Sequence, residues 1–408
     1  MNRPARTLLL LAAAAFASMA PPASGAVAQR TFVASNGNDN NACSLVAPCR
    51  SFAGAIAKTN AGGEVIVLDS AGYGPVTIAQ SVSIIAPAGV YAGVSVFSGN
   101  GVTITTPGIT VTLRGLSING QGGDNGIFYV PGAASPSMLH VESCTIAGLS
   151  ASGIYAAFGE IAISDTVVRD NAGTGIFLAF HATATLERVR SEHNGSTVAY
   201  AGIYVTGGAE AMVSDSVVTS SLSQAIQVQN AGKLTVARST ITSIGSHGIQ
   251  GDAPYSGQSV IINVESSAIV GQTRCVYATA STGAYVEVGI ARSTLASPTI
   301  VIEANSDLGG SINGTITSNR IATGFFDAVY ATGVGSRLLV TKNAMDRASS
   351  LAPAAGIDAW NGALIVAGGN DIDSNAGLQT KTGGTIQSRG DNTVAGTITG
   401  NVVAIGGH

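Results

Sequence analysis

Between residues 141 and 250 one phrase recurs: a short strand ending in polar residues and an aliphatic, a polar turn, then a Gly-Ile type pair and a second strand. It reads VESCTI then GIYA, ISDTVV then GIFL, LERVRS then GIYV, VSDSVV then QAIQV, and VARSTI then HGIQ. The pairs begin at Gly153, Gly175, Gly202, Ala225 and Gly248, in steps of 22, 27, 23 and 23 residues. A period of this length belongs to stacked units, each of which can bury its apolar side only against its neighbours. Function is therefore to be sought on the faces of a rod.

Composition agrees with a ladder of short strands. Charged residues are 10% of the 408-residue chain, against about 25% in ordinary domains, while glycine contributes 53 positions. Low charge with many Gly, Ser, Thr and β-branched residues suits strands joined by tight turns. The formal net charge is −4 and no basic stripe is present, which argues against nucleic acid as a partner.

The first 28 residues read as a secretory signal peptide. Residues 2–6 are basic, residues 8–20 are apolar, and Ala26-Val27-Ala28 forms an A-x-A cleavage signal before Gln29. No later stretch approaches the length of a membrane-spanning helix. The mature chain is expected to be secreted, extracellular or periplasmic, with no membrane span. In that setting Cys43 and Cys49, six residues apart in a Gly/Asn/Pro-rich stretch, are expected to form a local disulfide. Cys144 and Cys275 fall five coils apart, about 24 Å at ~4.8 Å per coil, and are expected to be buried free thiols.

Residues 29–62 are expected to cap the rod. Phe52, Ala55, Ile56 and Thr59 fall at helical spacing, predicting a short helix over residues 51–58 stopped by Gly62-Gly63. Such a cover keeps the exposed end of a solenoid from pairing with another chain. Coils are expected over residues 63–351, and the last coils with a C-terminal cap over residues 352–408.

The opening of this cap carries a resemblance. Phe32-Val33, Gly37 and Asp39, then Pro48, the short helix, Gly62-Gly63, an apolar strand and Gly72-Tyr73 follow one another as in right-handed parallel β-helix proteins of the pectate-lyase-like superfamily. The Asn-x-x-x-Gly-Ile rhythm from Asn171 to Ile176 is similar to that family's coils. The resemblance implies an all-β fold: a single right-handed parallel β-helix of roughly eleven to thirteen coils with an N-terminal capping helix. It covers nearly all of residues 31–400 and is specific for architecture, not chemistry.

Aligning coils on Ile146, Val168, Ser191, Val218 and Ile241 stacks equivalent positions ~4.8 Å apart. One column, Cys144, Thr166, Val189, Ser216, Ser239, Ser267, Ser293, Asn319 and Asn343, is expected to point inward as a ladder of small and hydroxyl side chains. The residue before each gives a second column, Ser143, Asp165, Arg188, Asp215, Arg238, Ser266, Arg292, Ser318 and Lys342, expected to form cross-strand ion pairs on an exposed sheet. A third column follows the Gly-Ile pair: Phe128, Tyr155, Phe177, Tyr204, Gln227, Gln250, Tyr277, Val301, Tyr330 and Asp358. Its side chains should point out because the preceding aliphatic points in. Its first four aromatics make a strip that would either stabilise the sheet or hold sugar rings. Asn171 and Asn194, in equivalent turns, are expected to bond to neighbouring backbone. His140, His181, His247 and His408 are isolated.

Titratable groups are densest around the second column, where Arg169, Asp170, Glu187, Arg190, Glu192 and His193 gather from two adjacent coils. Asp165, Asp170, Arg190 and His193 are the candidate catalytic residues, supplying the acid, base and charge neutraliser that glycoside cleavage or uronate β-elimination needs. A solvated salt-bridge ladder is the alternative. The family's signatures do not carry over. Polygalacturonase-like members have Asn-Thr-Asp, Asp-Asp, Gly-His-Gly and Arg-Ile-Lys, and here only Gly245-Ser246-His247-Gly248 echoes one of them. The Arg-x-Pro-x-x-Arg and Trp-rich segments of pectate lyases have no counterpart, and Trp360 is the sole tryptophan. No cofactor or metal is called for, since Asp165 and Asp170 supply only the beginning of a calcium site. The reading at this stage is a monomeric β-helix that binds extracellular or cell-surface polysaccharide, or serves as a structural or adhesive rod. The alternative is a polysaccharide lyase or glycoside hydrolase acting on a polyuronate-type glycan at the Asp165–His193 patch. The loops at residues 196–200 and 251–258 lengthen their coils, and insertions in a solenoid often collect on the binding face.

Overall fold

A computed structural model of the chain describes residues 27–197, 199–220, 222–347 and 355–406. Most of the expected signal peptide, Val198 of the 196–200 loop, residues 352–354 and His408 lie outside them. Among the described residues no helix is long and apolar enough to cross a membrane.

Each coil visits three faces. In one of them Glu160–Ser164 lies on face one, Val167–Arg169 on face two and Ile176–Ala179 on face three. Every ladder is parallel, and face one runs through sixteen strands from Ala28–Val33 to Val402–Ala404. Faces two and three share the other twenty-six, because the long strand Asp371–Lys381 bends through both. The solenoid has about twelve turns, and among the described residues there is one short helix, Phe52–Ile56.

Alternation explains the core. Ile161 and Ile163 on face one, Val168 on face two, and Ile176 and Leu178 on face three all point inward and are buried. Each such side chain contributes roughly 1.5–3 kcal/mol of transfer free energy. The glycine of the repeated pair serves packing and not a special backbone angle. A Cβ at Gly175 would lie 2.5 Å from the Gly202 carbonyl oxygen and 2.7 Å from Ser191 Oγ, so the next coil leaves no room for one.

The connection from face one to face two has two residues in every coil from Ser143-Cys144 to Lys342-Asn343. The first residue is left-handed: Ser143, Asp165, Arg188, Asp215, Arg238, Ser266, Arg292, Ser318 and Lys342 have φ between 48° and 58°. This corrects the expected placement of the second column, which forms a corner and not a sheet surface. The bend from one face to the next is made here by one residue in the left-handed region, a conformation sparsely populated by side chains other than glycine. The second residue of the corner points inward, as its column predicts. The Cys144 N–H donates to Thr166 Oγ1 at 3.2 Å, Ser216 to Ser239 Oγ at 3.1 Å, Ser239 to Ser267 Oγ at 3.1 Å and Ser293 to Asn319 Oδ1 at 2.8 Å. Asn319, Asn343, Asn370 and Asn392 continue the ladder toward the C-terminus. A second ladder joins Asn171 Nδ2 to Asn194 Oδ1 at 2.8 Å.

The cap begins with Ala28–Val33, paired with Thr59–Val67. Ser51 is the N-cap of the helix and accepts from the Gly54 N–H at 3.0 Å. Gly62-Gly63 is not the helix stop, because it lies inside the strand Thr59–Val67. The helix ends earlier, where Thr59 Oγ1 donates to the Ala55 carbonyl at 2.8 Å. Cys43 and Cys49 are joined as a disulfide, while Cys144 and Cys275 are free and buried.

Candidate functional site

Face three carries the outward column that follows each inward aliphatic. Phe128 pairs with Tyr155, Tyr155 with Phe177, and Phe177 with Tyr204. Their ring centroids are 5.3, 5.0 and 5.1 Å apart, the first two contacts stacked and the third edge-on. Beside them Phe158 and Phe180, in the turns leaving face three, stack at 5.6 Å and widen the strip. The sequence reading missed this pair because both rings lie in left-handed turn positions outside the repeated phrase.

The column then turns polar. Tyr204 pairs with Gln227, Gln227 with Gln250, and Gln250 with Tyr277. Tyr277 pairs with Glu303, not with Val301 as the sequence spacing predicts. Val301 is instead buried one step before the inward Ile302, in the place that glycine holds elsewhere. Glu303 in turn pairs with Tyr330, Tyr330 with Asp358, and Asp358 with Gln379.

The register through Glu303 gathers a cluster that no local sequence pattern marks. Glu303 is 4% exposed and ion-paired with Arg274, whose guanidinium also lies 4.5 Å from the centre of the Tyr277 ring. Asp358 is 2% exposed, and its Oδ1 has no hydrogen-bond partner. Burial pushes the Asp358 carboxyl above its ordinary pKa, against the pull of Trp360 and Lys381. The Trp360 indole N–H faces that carboxyl as a hydrogen-bond donor and lowers its pKa, in a contact short of ideal hydrogen-bond geometry. Its ring meets Tyr330 edge-on at 5.9 Å and carries Lys381 Nζ at 4.5 Å. In the intervening coil Asp327 accepts from the Ala355 N–H at 3.0 Å. Burial pushes its carboxyl up to about 7, the nearby Asp358 and Glu303 charges adding to the shift. His247, its ring tilted against Tyr277 at 4.9 Å, is pushed down to about 4 by burial and by Arg274. Asp252 accepts from Gln229 at 2.9 Å and from Gln250 at 2.7 Å.

The residues singled out from the sequence are placed elsewhere. Asp165, on the corner, takes a two-pronged contact from Arg188 at 2.7 and 2.9 Å. Its carboxyl is held below the usual range by that guanidinium. The next pair, Asp215 with Arg238, repeats the geometry. Arg190, on face two, bonds to Glu192 at 2.9 and 2.6 Å. Asp170 and His193 stand in equivalent left-handed positions of the turn between faces two and three, with His193 Nδ1 3.8 Å from Asp170 Oδ1. These two border a shallow depression of about 430 Å³ with Leu149, Ser150 and Leu222. The fold thus brings Asp170 and His193 together, with Asp170 also ion-paired to Arg169, while Asp165 and Arg190 are engaged with other partners. All four side chains are solvent-exposed, from 46% to 64%. The 196–200 loop belongs to the turn between faces two and three, whereas Gly251 to Ala253 extend a face-three strand, His247–Ala253. Among the described residues no group of three or more His, Cys, Asp or Glu is arranged to hold a metal ion.

Comparison with known proteins bears on the architecture. Residues 92–250 match a family model described as a right-handed β-helix region. No curated protein matches the sequence significantly. Among solved structures, the A-module of an Azotobacter vinelandii mannuronan C-5 epimerase aligns at 11% identity over 85% of this chain and 92% of its own, with a TM-score of 0.45. XylC in complex with xylose aligns at 10% identity over 79% and 76%, with a TM-score of 0.45. The Dettilon tailspike protein aligns at 12% identity over 86% and 68%, with a TM-score of 0.46.

Proposed function

We propose that this right-handed parallel β-helix holds a glycan chain along face three, with Phe128, Tyr155, Phe177 and Tyr204 as its platform. The observation carrying this reading is the in-register row of four aromatic rings, extended by Phe158 and Phe180. Sugar rings present flat C–H faces and polar edges, and the row offers flat apolar faces continued by the amides of Gln227 and Gln250. The signal sequence supports a location outside the cytoplasm, secreted or periplasmic, for a protein acting as a monomer without a cofactor. Affinity electrophoresis through gels containing soluble polysaccharides tests the reading. Tyr155→Ala and Tyr204→Ala are each expected to weaken retardation roughly two- to tenfold, in line with ~0.5–1.5 kcal/mol per lost aromatic contact. Unchanged retardation would return the strip to sheet packing.

A second reading places lyase or hydrolase chemistry on a polyuronate-type glycan at the Asp165–His193 patch. It is supported by the approach of His193 to Asp170 beside the depression. Release of unsaturated uronate or reducing ends from pectin or alginate, lost in Asp170→Asn and His193→Ala, is the expected result. No turnover by the unaltered chain would remove that reading.

A further inference from the structure

We infer that face one carries a second binding site, for a glycan that bears one oxyanion, carboxylate or sulfate, on every second sugar. The site shares no residue with the aromatic row of face three and does not depend on glycan binding there.

The first support is the shape of the sheet. Face one is five residues wide in Thr183–Glu187, Glu210–Ser214 and Lys233–Ala237, and seven wide in Ser259–Glu265, Tyr285–Ala291 and Ser311–Thr317. The wider strands hold a trough of about 630 Å³. Two further depressions, of about 380 and 280 Å³, continue it toward the N-terminal coils, and all three share Asn263. Together they reach from Thr183–Glu187 to Leu364–Gly368, seven strand spacings or about 34 Å. The floor is low where Gly289 stands outward in register between Asn263 and Thr315. A Cβ at Gly289 would lie 2.6 Å from Asn263 Oδ1, so the amide fills the space a side chain would need.

The second support is a set of uncommitted polar groups. The side chains of Asn263, Thr315 and Arg337 line the trough and form no hydrogen bond among the described residues. The cations around them are used: Lys233 pairs with Glu210, Arg238 with Asp215 and Arg292 with Glu265. Arg337 is exposed and has no carboxylate partner among the described residues, and Glu287 has no cationic one. Hydroxyls and amides with one free charge of each sign suit a polyol. They do not suit a uniform polyanion, which would meet Glu287, Glu210 and Glu265 along its path.

The third support is spacing. Glu287, Asn313 and Arg337 follow one another in a single outward column, so Glu287 and Arg337 are two strand spacings apart, about 10 Å along the rod. That is about the length of a disaccharide. A guanidinium takes an oxyanion through two parallel bonds. Glu287 accepts from a hydroxyl and repels an oxyanion, so the sugar beside it must be neutral. The Tyr285 hydroxyl donates to Glu287 Oε2 and accepts from Asn313 Nδ2, each at 3.4 Å, which holds its ring at the edge of the trough. Tyr285, Leu339 and Val366 offer apolar surface to the C–H faces of the sugars.

Affinity electrophoresis of the unaltered chain through κ-carrageenan and hyaluronan tests the inference. Both alternate one charged and one neutral sugar, the first with sulfate and the second with carboxylate. Each is run beside its desulfated or carboxyl-reduced counterpart, and polygalacturonate supplies a charge on every unit. At least one charged form is expected to retard the chain about tenfold more than its neutral counterpart, and more than polygalacturonate does. Arg337→Gln should abolish that excess, since a charge-assisted hydrogen bond is lost. Glu287→Gln should strengthen retardation by polygalacturonate. The combined Tyr155→Ala and Tyr204→Ala variant should keep the excess whatever happens to binding on face three. Equal retardation by charged and neutral forms of both glycans would overturn the inference. So would an excess that survives Arg337→Gln, that disappears with Tyr155 and Tyr204, or that is larger for polygalacturonate.

Discussion

Asn343 gives both its backbone N–H and its side-chain amide to one oxygen, Asn370 Oδ1, at 3.1 and 3.0 Å. Its own Oδ1 receives the same pair of donors from Asn319, at 2.9 and 3.0 Å, and its amide also reaches the Ile316 carbonyl. The residue is 1% exposed, so its removal strands donors and acceptors away from water. Asn343→Ala is expected to cost about 2–4 kcal/mol in urea unfolding. Asn343→Ser should cost less, because Ser267 and Ser293 accept the equivalent backbone N–H elsewhere in the column.

Lys342, the residue before it, sits in the left-handed region with φ 57°. A side chain there costs about 1–2 kcal/mol that glycine avoids, less what glycine loses in unfolded-state freedom. Gly369 holds the equivalent corner one coil later, with φ 62°. Lys342→Gly is expected to raise stability by about 0.5–1 kcal/mol. A fall in the unfolding midpoint would contradict the strain argument.

Phe177 touches rings on both sides, Tyr155 at 5.0 Å and Tyr204 at 5.1 Å, whereas Phe128 touches only Tyr155. Each aromatic contact is worth about 0.5–1.5 kcal/mol beyond area burial. Thermal unfolding should therefore show a larger loss for Phe177→Ala than for Phe128→Ala. Equal losses would mean that the rings act singly and not as a row.

Asp327 contributes a pH-dependent liability. Its folded pKa is raised from 3.8 to about 7, so the folded state is fully stable with respect to this group below about pH 4. That stability is lost as pH rises through about 7. Three units correspond to at most ~4 kcal/mol at 1.36 kcal/mol per unit, and partial exposure makes about 2–4 kcal/mol the realistic range. Asp327→Asn keeps an acceptor for the Ala355 N–H without the charge. It should raise the melting temperature at pH 8 and leave it unchanged at pH 4, as read by scanning calorimetry. A shift of the same size at both pH values would show that charge burial is not the cause.

The coils were legible because their columns repeat. Small polar residues recurring at Thr166, Ser216 and Ser239 could only be an inward ladder, and all three are buried. Period-two alternation after each Gly-Ile pair likewise located the aromatic row. Legibility failed where the phrase lost its glycine. In the coil reading Thr299-Ile300-Val301-Ile302-Glu303, two overlapping aliphatic pairs compete for one register, and the wrong choice hid Glu303 inside the column. Asp327 was missed for another reason: it stands in a turn, and its burial is created by neighbouring coils that no local pattern encodes. The acids that drew attention in the sequence, Asp165 and Asp170, are conspicuous because Arg188 and His193 occupy equivalent positions one repeat later and Arg169 is adjacent. That same proximity supplies their partners.

From Ser143-Cys144 to Lys342-Asn343 the corner between faces one and two keeps two residues from coil to coil, while the turn between faces two and three ranges from two to eight over the same coils. The corner thus works as a phase lock, resetting inside and outside once per turn whatever happened in the previous loop. A segment copied from one corner to the next would enter the stack in register, and its inward ladder residue would meet acceptors already in place. Lengthening such a rod is a matter of whole coils, and variation in its working surface is confined to the rims of face three.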